Sequence, residues 1–131
     1  MERRLFNFGV PWEEKISFSQ GVWIRGGRLV LLSGQAAIDD HGDVIGKGDM
    51  EAQVRAALEA VRRALALAGA TVADVVKVVY YTTDCRAFHK TQPIREAFFQ
   101  RPYPAQTLVE VTRLAMRDLL VEAEATAVVH D

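Results

Sequence analysis

Glu122 and Glu124 lie two residues apart in a stretch that alternates apolar and polar side chains. Both carboxylates therefore point to one side of an extended strand. Glu110 stands in another β-like stretch and is a third candidate for the same neighbourhood. If that side lines a cleft, a partly desolvated glutamate holds a water or accepts a proton with no metal to help it. The pattern also fits solvated glutamates or glutamates that bridge subunits. The residues alone leave both open.

The remaining chemistry-bearing residues say less. His41, His89 and His130 lack the spacing of metal ligands, so no metal site is expected. There is no G-x-G-x-x-G, no Walker loop and no G-x-S-x-G, because Ser33-Gly34-Gln35 lacks the first glycine of a nucleophile elbow. Nothing favours a triad built on Ser33. Cys85 and His89 are four residues apart, which on a helix suggests an activated thiol. Pro93 and the turn nearby argue against helical spacing, and Cys85 reads as structural. One cysteine permits neither an internal disulfide nor a thiolate cluster. Residues 39–43 read as a solvated turn, too short for a calcium loop.

Of 131 residues, half are apolar and a quarter charged, which is globular composition. That length suits one domain spanning residues 1–131. Sixteen Lys and Arg against seventeen Asp and Glu give a net charge of -1, a balance that argues against a nucleic-acid partner. Arg3 and Arg4 are not followed by an apolar run, so no signal peptide is expected. No apolar stretch approaches the ~20 residues that cross a bilayer. These features point to a cytoplasmic setting with no membrane partner.

Strands and helices alternate along the chain. Residues 16–24 and 29–32 flank Gly26-Gly27 and read as a hairpin, since glycine tolerates positive φ. Residues 50–68 carry an apolar stripe of Met50, Val54, Ala57, Leu58, Val61 and Leu65, with Asp49 as cap and Gly69 as stop. Glu51–Arg55 and Glu59–Arg63 are i,i+4 pairs, and the arginines form a solvated face. Residues 75–83 form a Val- and Tyr-rich strand, reached from its predecessor by a right-handed crossover that implies parallel pairing. Residues 92–100 form a second helix with Pro93 in its first turn. Strands at 107–111 and 120–129 complete the order β-β-α-β-α-β-β: an α/β chain with one mixed sheet and two helices packed on one face. The helix-free face carries Leu120 and Val128, which predicts an oligomer.

Read together, Gln20-Gly21-Val22, Ser33-Gly34-Gln35, Glu96-Ala97-Phe98-Phe99, Pro104-Ala105, Val109-Glu110-Val111, Arg113-Leu114 and Glu122-Ala123-Glu124-Ala125 resemble the RidA/YjgF (Rid, reactive intermediate deaminase) family in order and spacing. The resemblance covers about residues 16–129. It implies a chorismate-mutase-like α/β fold, a homotrimer with clefts between subunits, and hydrolysis of enamines or imines with no cofactor. It places a small ligand at Phe18, Ser33, Gly34, Gln92, Gln106, Thr107 and Leu108, and makes Glu122 the residue that positions the attacking water.

The sequence departs from that pattern in one neighbourhood. The family's deaminases carry an arginine directly after Pro-Ala that clamps a substrate carboxylate, and here the residue is Gln106. Phe18 stands for a tyrosine, Gln92 for an asparagine and Leu108 for a cysteine. Arg95 and Arg113 are the candidate cations for replacing the clamp, and Arg113 matches an arginine the family already has. The resemblance thus implies a deaminase of altered specificity. The alternatives are a non-catalytic ligand-binding or protein-interaction trimer and, disfavoured by the charge balance, a ribonuclease or translation inhibitor.

Overall fold

The alternation at residues 120–129 becomes the strand on which the main sheet is organised. A computed structural model describes all 131 residues. The strands are β1 (Glu2–Phe6), β2 (Gly21–Arg25), β3 (Arg28–Leu31), β4 (Gln35–Ala36), β5 (Val75–Thr82), β6 (Ala105–Glu110) and β7 (Val121–Val129). The helices are α1 (Met50–Leu67), α2 (Cys85–His89) and α3 (Gln92–Phe99). Five strands form one mixed sheet in the order β3-β7-β5-β6, with β4 also pairing β7. β5 and β6 are parallel, and β7 is antiparallel to its neighbours.

The two-residue period of β7 divides the sheet. Val121, Ala123, Ala125 and Ala127 point into the core, each at most 1% exposed. Glu122, Glu124 and Thr126 take the other face. The small alanines let α1 lie close, and its Val54, Ala57, Leu58, Val61 and Leu65 stripe packs there with Val78, Tyr80 and Phe88. Asp49 caps α1 by accepting from the Ala52 N–H at 3.0 Å.

Several expectations change. The Gly26-Gly27 turn exists, with both glycines at positive φ, but the strands it joins are not paired. β2 pairs instead with β1, a strand the sequence pattern did not reveal, and β3 pairs with β7. Residues 16–20 are irregular because Ser17 donates to Glu96 at 2.8 Å and Ser19 to the Tyr103 carbonyl at 2.6 Å. These bonds, with a Ser19–Ala105 bridge, hold the segment beside β6. β3 and β5 run parallel but are not neighbours, since β7 lies between them.

There are three helices, not two. Cys85–His89 is a turn of helix capped by Asp84, so Cys85 and His89 do have helical spacing. Glu59 pairs with Arg62, and Arg63 pairs with Asp40 at 3.3 Å. Val128 is buried and Leu120 partly buried, while Leu29 at 61%, Leu31 at 70% and Val109 are exposed strand residues. β3 lies at the sheet edge, and the side chains opposite the core have no helix above them. No helix is long and apolar enough to cross a membrane.

One buried amide joins α1 to the start of β7. Gln53 is fully buried, donates to the carbonyls of Asp118 at 2.9 Å and Gly46 at 3.3 Å, and accepts the Leu120 N–H at 2.8 Å. Gln53→Met keeps the volume and strands these backbone groups. It should lower the free energy of unfolding by about 2 kcal/mol, read from urea denaturation. An unchanged midpoint would show that the amide does not hold the strand.

Candidate functional site

The eight residues singled out above fall into two groups on one chain. The first gathers where β4 meets β7. Ala36 pairs with Glu122, and Gly34 precedes β4 in the turn after β3. A Cβ at residue 34 would run into the Glu122 carboxyl group, so glycine is what allows the two to touch. Ser33 is exposed beside them, and its carbonyl accepts from the Gln35 amide at 3.1 Å. A groove of about 360 Å³ opens here, with Gly34 and Glu122 at one end.

The two glutamates are not equivalent. Tyr81 on β5 donates its hydroxyl to Glu124 at 3.1 Å. That bond, then desolvation and the charges of Glu124 and Glu122, push the tyrosine pKa above its ordinary value. Glu124 is engaged, whereas Glu122 is turned toward Gly34 and the groove.

The second group surrounds β6. Leu108 packs against the core, and Gln106, two residues earlier, shares its side of the strand. The Ser19–Ala105 bridge sets Phe18 beside the start of β6. Phe18 borders a groove of about 480 Å³ with Glu13, Arg101 and Tyr103. Gln92 donates to the Lys15 carbonyl and to Glu96, both at 2.8 Å. Thr107 points the opposite way and accepts from Lys77 at 2.8 Å.

The sheet register measures the gap between the groups. On β5, Val78 pairs with Gln106 and Tyr81 with Glu122. Three residues along the strand and two strand spacings across it put the two Cα atoms roughly 14 Å apart, on opposite faces. One small ligand does not touch both within a single chain.

Neither arginine considered as a replacement clamp stands free at Gln106. Arg95 is 5% exposed, lies 4.2 Å above the Phe88 ring, and donates to Thr91 at 3.2 Å and to the Phe88 carbonyl at 3.4 Å. Burial draws its pKa below the ordinary arginine value. The neighbouring Tyr80 hydroxyl is buried without a partner, and desolvation drives its pKa far up. Arg113 is exposed, outside any strand or helix. Cys85 is no activated thiol: desolvation, then Glu110 and Asp84, raise its pKa, and its N–H donates to Glu110 at 2.9 Å. Glu110 thereby caps α2 and does not join Glu122. The burial of Arg95 over the Phe88 and Tyr80 rings was not apparent from sequence; an arginine beside Ile94 in α3 was its one visible sign.

Comparison with known proteins agrees with this architecture. The model of the family described as Endoribonuclease L-PSP matches residues 13–129. A 2-iminobutanoate/2-iminopropanoate deaminase of Salmonella typhimurium is 35% identical over 114 residues, 82% of this chain and 88% of its own. A RutC family protein of Pyrococcus abyssi is 38% identical over 104 residues, 79% of this chain and 81% of its own. Among solved structures, a Rid-family protein of unknown function from Yersinia pestis superposes with a TM-score of 0.88 at 31% identity, covering 98% of this chain and 100% of that one. The YjgF protein of Escherichia coli gives 0.70 at 34%, covering 84% and 86%. The chain belongs to the Rid family, also called YjgF, RutC or L-PSP, and its fold is the chorismate-mutase-like α/β fold of that family.

Glu96 supplies a test of the second group. Hydrogen bonds from Gln92 and Ser17 hold its pKa below the usual carboxylate value, against an opposing desolvation effect and with help from Arg101 and Arg95. A lowered folded pKa stabilises above the unfolded value and loses that contribution as pH falls through the folded one. The stability gap between Ser17→Ala and the native protein should therefore be full at about pH 7 and narrow between about pH 5 and about pH 3. Urea midpoints across that range check it; a constant gap would leave Glu96 without the role.

Proposed function

We propose that this chain hydrolyses small enamines or imines without a cofactor, with a specificity moved away from 2-imino acids, in clefts between the subunits of a cytoplasmic homotrimer. The observation that carries the reading is the Glu122 carboxyl group, held against Gly34 at the end of an open groove while its neighbour Glu124 is occupied by Tyr81. Imine hydrolysis needs a water placed against the C=N carbon and a group that moves a proton from that water to the departing nitrogen. One carboxylate does both.

The Salmonella relative, named as a deaminase of 2-iminobutanoate and 2-iminopropanoate, supports the reaction class. The altered specificity rests on Gln106. A neutral amide stands where the resemblance places a carboxylate-binding arginine, and Arg95 is committed to Phe88 and Thr91. Assembly between copies rests on the separation of the two groups: in the trimer, Gly34 and Glu122 of one copy face Phe18, Gln92, Gln106 and Leu108 of the next. Exposed Leu29, Leu31 and Val109 on the helix-free face give that association apolar surface to bury.

Three outcomes test this. Light scattering with size exclusion should return about three chain masses, and a monomer at micromolar concentration would remove the intersubunit cleft. Relative to an arginine-bearing deaminase, hydrolysis of 2-iminopropanoate should fall roughly 10- to 100-fold, the worth of a lost charge-assisted clamp of about 1.5–3 kcal/mol. Equal rates would place the clamp elsewhere. With an accepted imine, Glu122→Gln should cost ~10²–10⁴-fold in turnover, while Glu124→Gln, which keeps an oxygen to accept the Tyr81 hydroxyl, should cost far less. A folded, fully active Glu122→Gln would take catalysis away from Glu122.

A further inference from the structure

The groove beside Glu122 carries information about what accompanies the C=N bond. Its lining includes Ala36 on β4, Ala60, Ala64 and Leu67 on α1, Leu119 before β7, and Glu122. Ala60, Ala64 and Leu67 fall at steps of four and three, so they form one stripe on α1. It is not the core stripe of Val54, Ala57, Leu58, Val61 and Leu65. Two alanines keep this second stripe recessed, and Leu67, 93% exposed, borders it. The hollow is a consequence of side-chain size on a rigid helix.

The charges at the groove are as informative as its shape. Glu122 is the one carboxylate lining it and Arg63 the one cation. Arg63 is paired with Asp40 at 3.3 Å at the exposed rim, so Glu122, Arg63 and Asp40 together leave a net negative charge. Glu124 lies on the same sheet face two residues from Glu122. The groove therefore offers an apolar wall and uncompensated negative charge. A ligand carboxylate meets repulsion there, whereas a protonated imine, R–CH=NH₂⁺, meets complementary charge with room for an aliphatic R.

We propose that this groove is the substituent subsite and that the preferred substrate is the iminium form of an imine derived from a simple aliphatic amine, with no carboxylate. This rests on the assignment of imine hydrolysis to Glu122. Water adds to the imine carbon, the C=N π electrons move to nitrogen, and Glu122 takes a proton from the new C–O group. Glu122 passes that proton to nitrogen, giving R–CH(OH)–NH₃⁺. The hydroxyl proton then returns to Glu122 as the C=O bond forms and the C–N bond breaks, and the departing ammonia takes it up. The sum is R–CH=NH₂⁺ + H₂O → R–CHO + NH₄⁺.

The experiment generates imines in situ, from ethylamine, butylamine and hexylamine with an amine oxidase, and from alanine and norleucine with an amino-acid oxidase. Loss of semicarbazide-trapped imine is followed with and without the protein. Each methylene laid on the groove should raise kcat/KM roughly fourfold, so the hexyl imine should exceed the ethyl imine by tenfold or more and exceed the norleucine-derived imino acid by at least as much. Ala64→Leu fills the groove and should flatten the chain-length dependence. Leu67→Ser, at an exposed position where packing is not disturbed, should weaken it. Hydrolysis of the imino acids as fast as the amine-derived imines, or rates independent of chain length in the native protein, would overturn this proposal and leave imine hydrolysis standing. No hydrolysis of any imine by folded protein would overturn both.

Discussion

The structure depends on the two-residue period of β7. Because successive side chains on a strand point to opposite faces, one segment delivers Ala123, Ala125 and Ala127 to α1 and Glu122, Glu124 and Thr126 to the helix-free side. A slip of one residue would bury two carboxylates beneath a helix, a cost of several kcal/mol for each uncompensated charge. The same requirement that excludes charge from the core therefore fixes where the carboxylates emerge. Register with β4 then brings Glu122 to Gly34, while Tyr81, opposite Glu122 on β5, reaches diagonally to donate its hydroxyl to Glu124. Two identical residue types acquire different surroundings from the side chains and backbone of the neighbouring strands.

Much of this was legible in the sequence, for reasons that can be named. α1 and β7 have strong periods, and their extents followed from the apolar stripe and the alternation. Pro93 fitted the first turn of α3 because a missing N–H is tolerated there. Family membership was legible from several short motifs in a fixed order, none sufficient alone. What was not legible depends on pairing at a distance. Gly26 and Gly27 specify a turn, but not which strand each flank then pairs with, and β2 and β3 separate into different sheets. Ser17 and Ser19 read as strand residues until their hydroxyls are seen bound to Glu96 and Tyr103. Leu120 and Val128 looked like exposed apolar residues, whereas they are partly or fully buried and Leu29 and Leu31 on an edge strand are exposed.

For the site, the sequence supplied residue types and the structure supplied their separation. Phe18, Gln92, Gln106 and Leu108 gather around β6, while Gly34 and Glu122 gather at β4, with Thr107 facing Lys77 elsewhere. The proposed cleft joins a polar half around β6 in one copy to an acidic, apolar half in another. Arg95 shows why a nearby cation is not automatically a clamp: over Phe88, with Thr91 as its acceptor, its charge serves the core. Gln106 then brings no positive charge to the position where the resemblance places the clamp, and Arg63 is already paired with Asp40.

The central claim is that the chemistry needs residues from two copies, and mixed assemblies test it most directly. Glu122→Gln and Gln106→Trp, carrying different tags, would be co-expressed, and assemblies holding both would be isolated by sequential capture and confirmed by mass. A cleft that combines Glu122 from the second variant with Gln106 from the first is intact. The account predicts that each parent assembly is nearly inactive on an accepted imine and that the mixed assemblies regain a substantial fraction of native turnover. Mixed assemblies as inactive as both parents would contradict it.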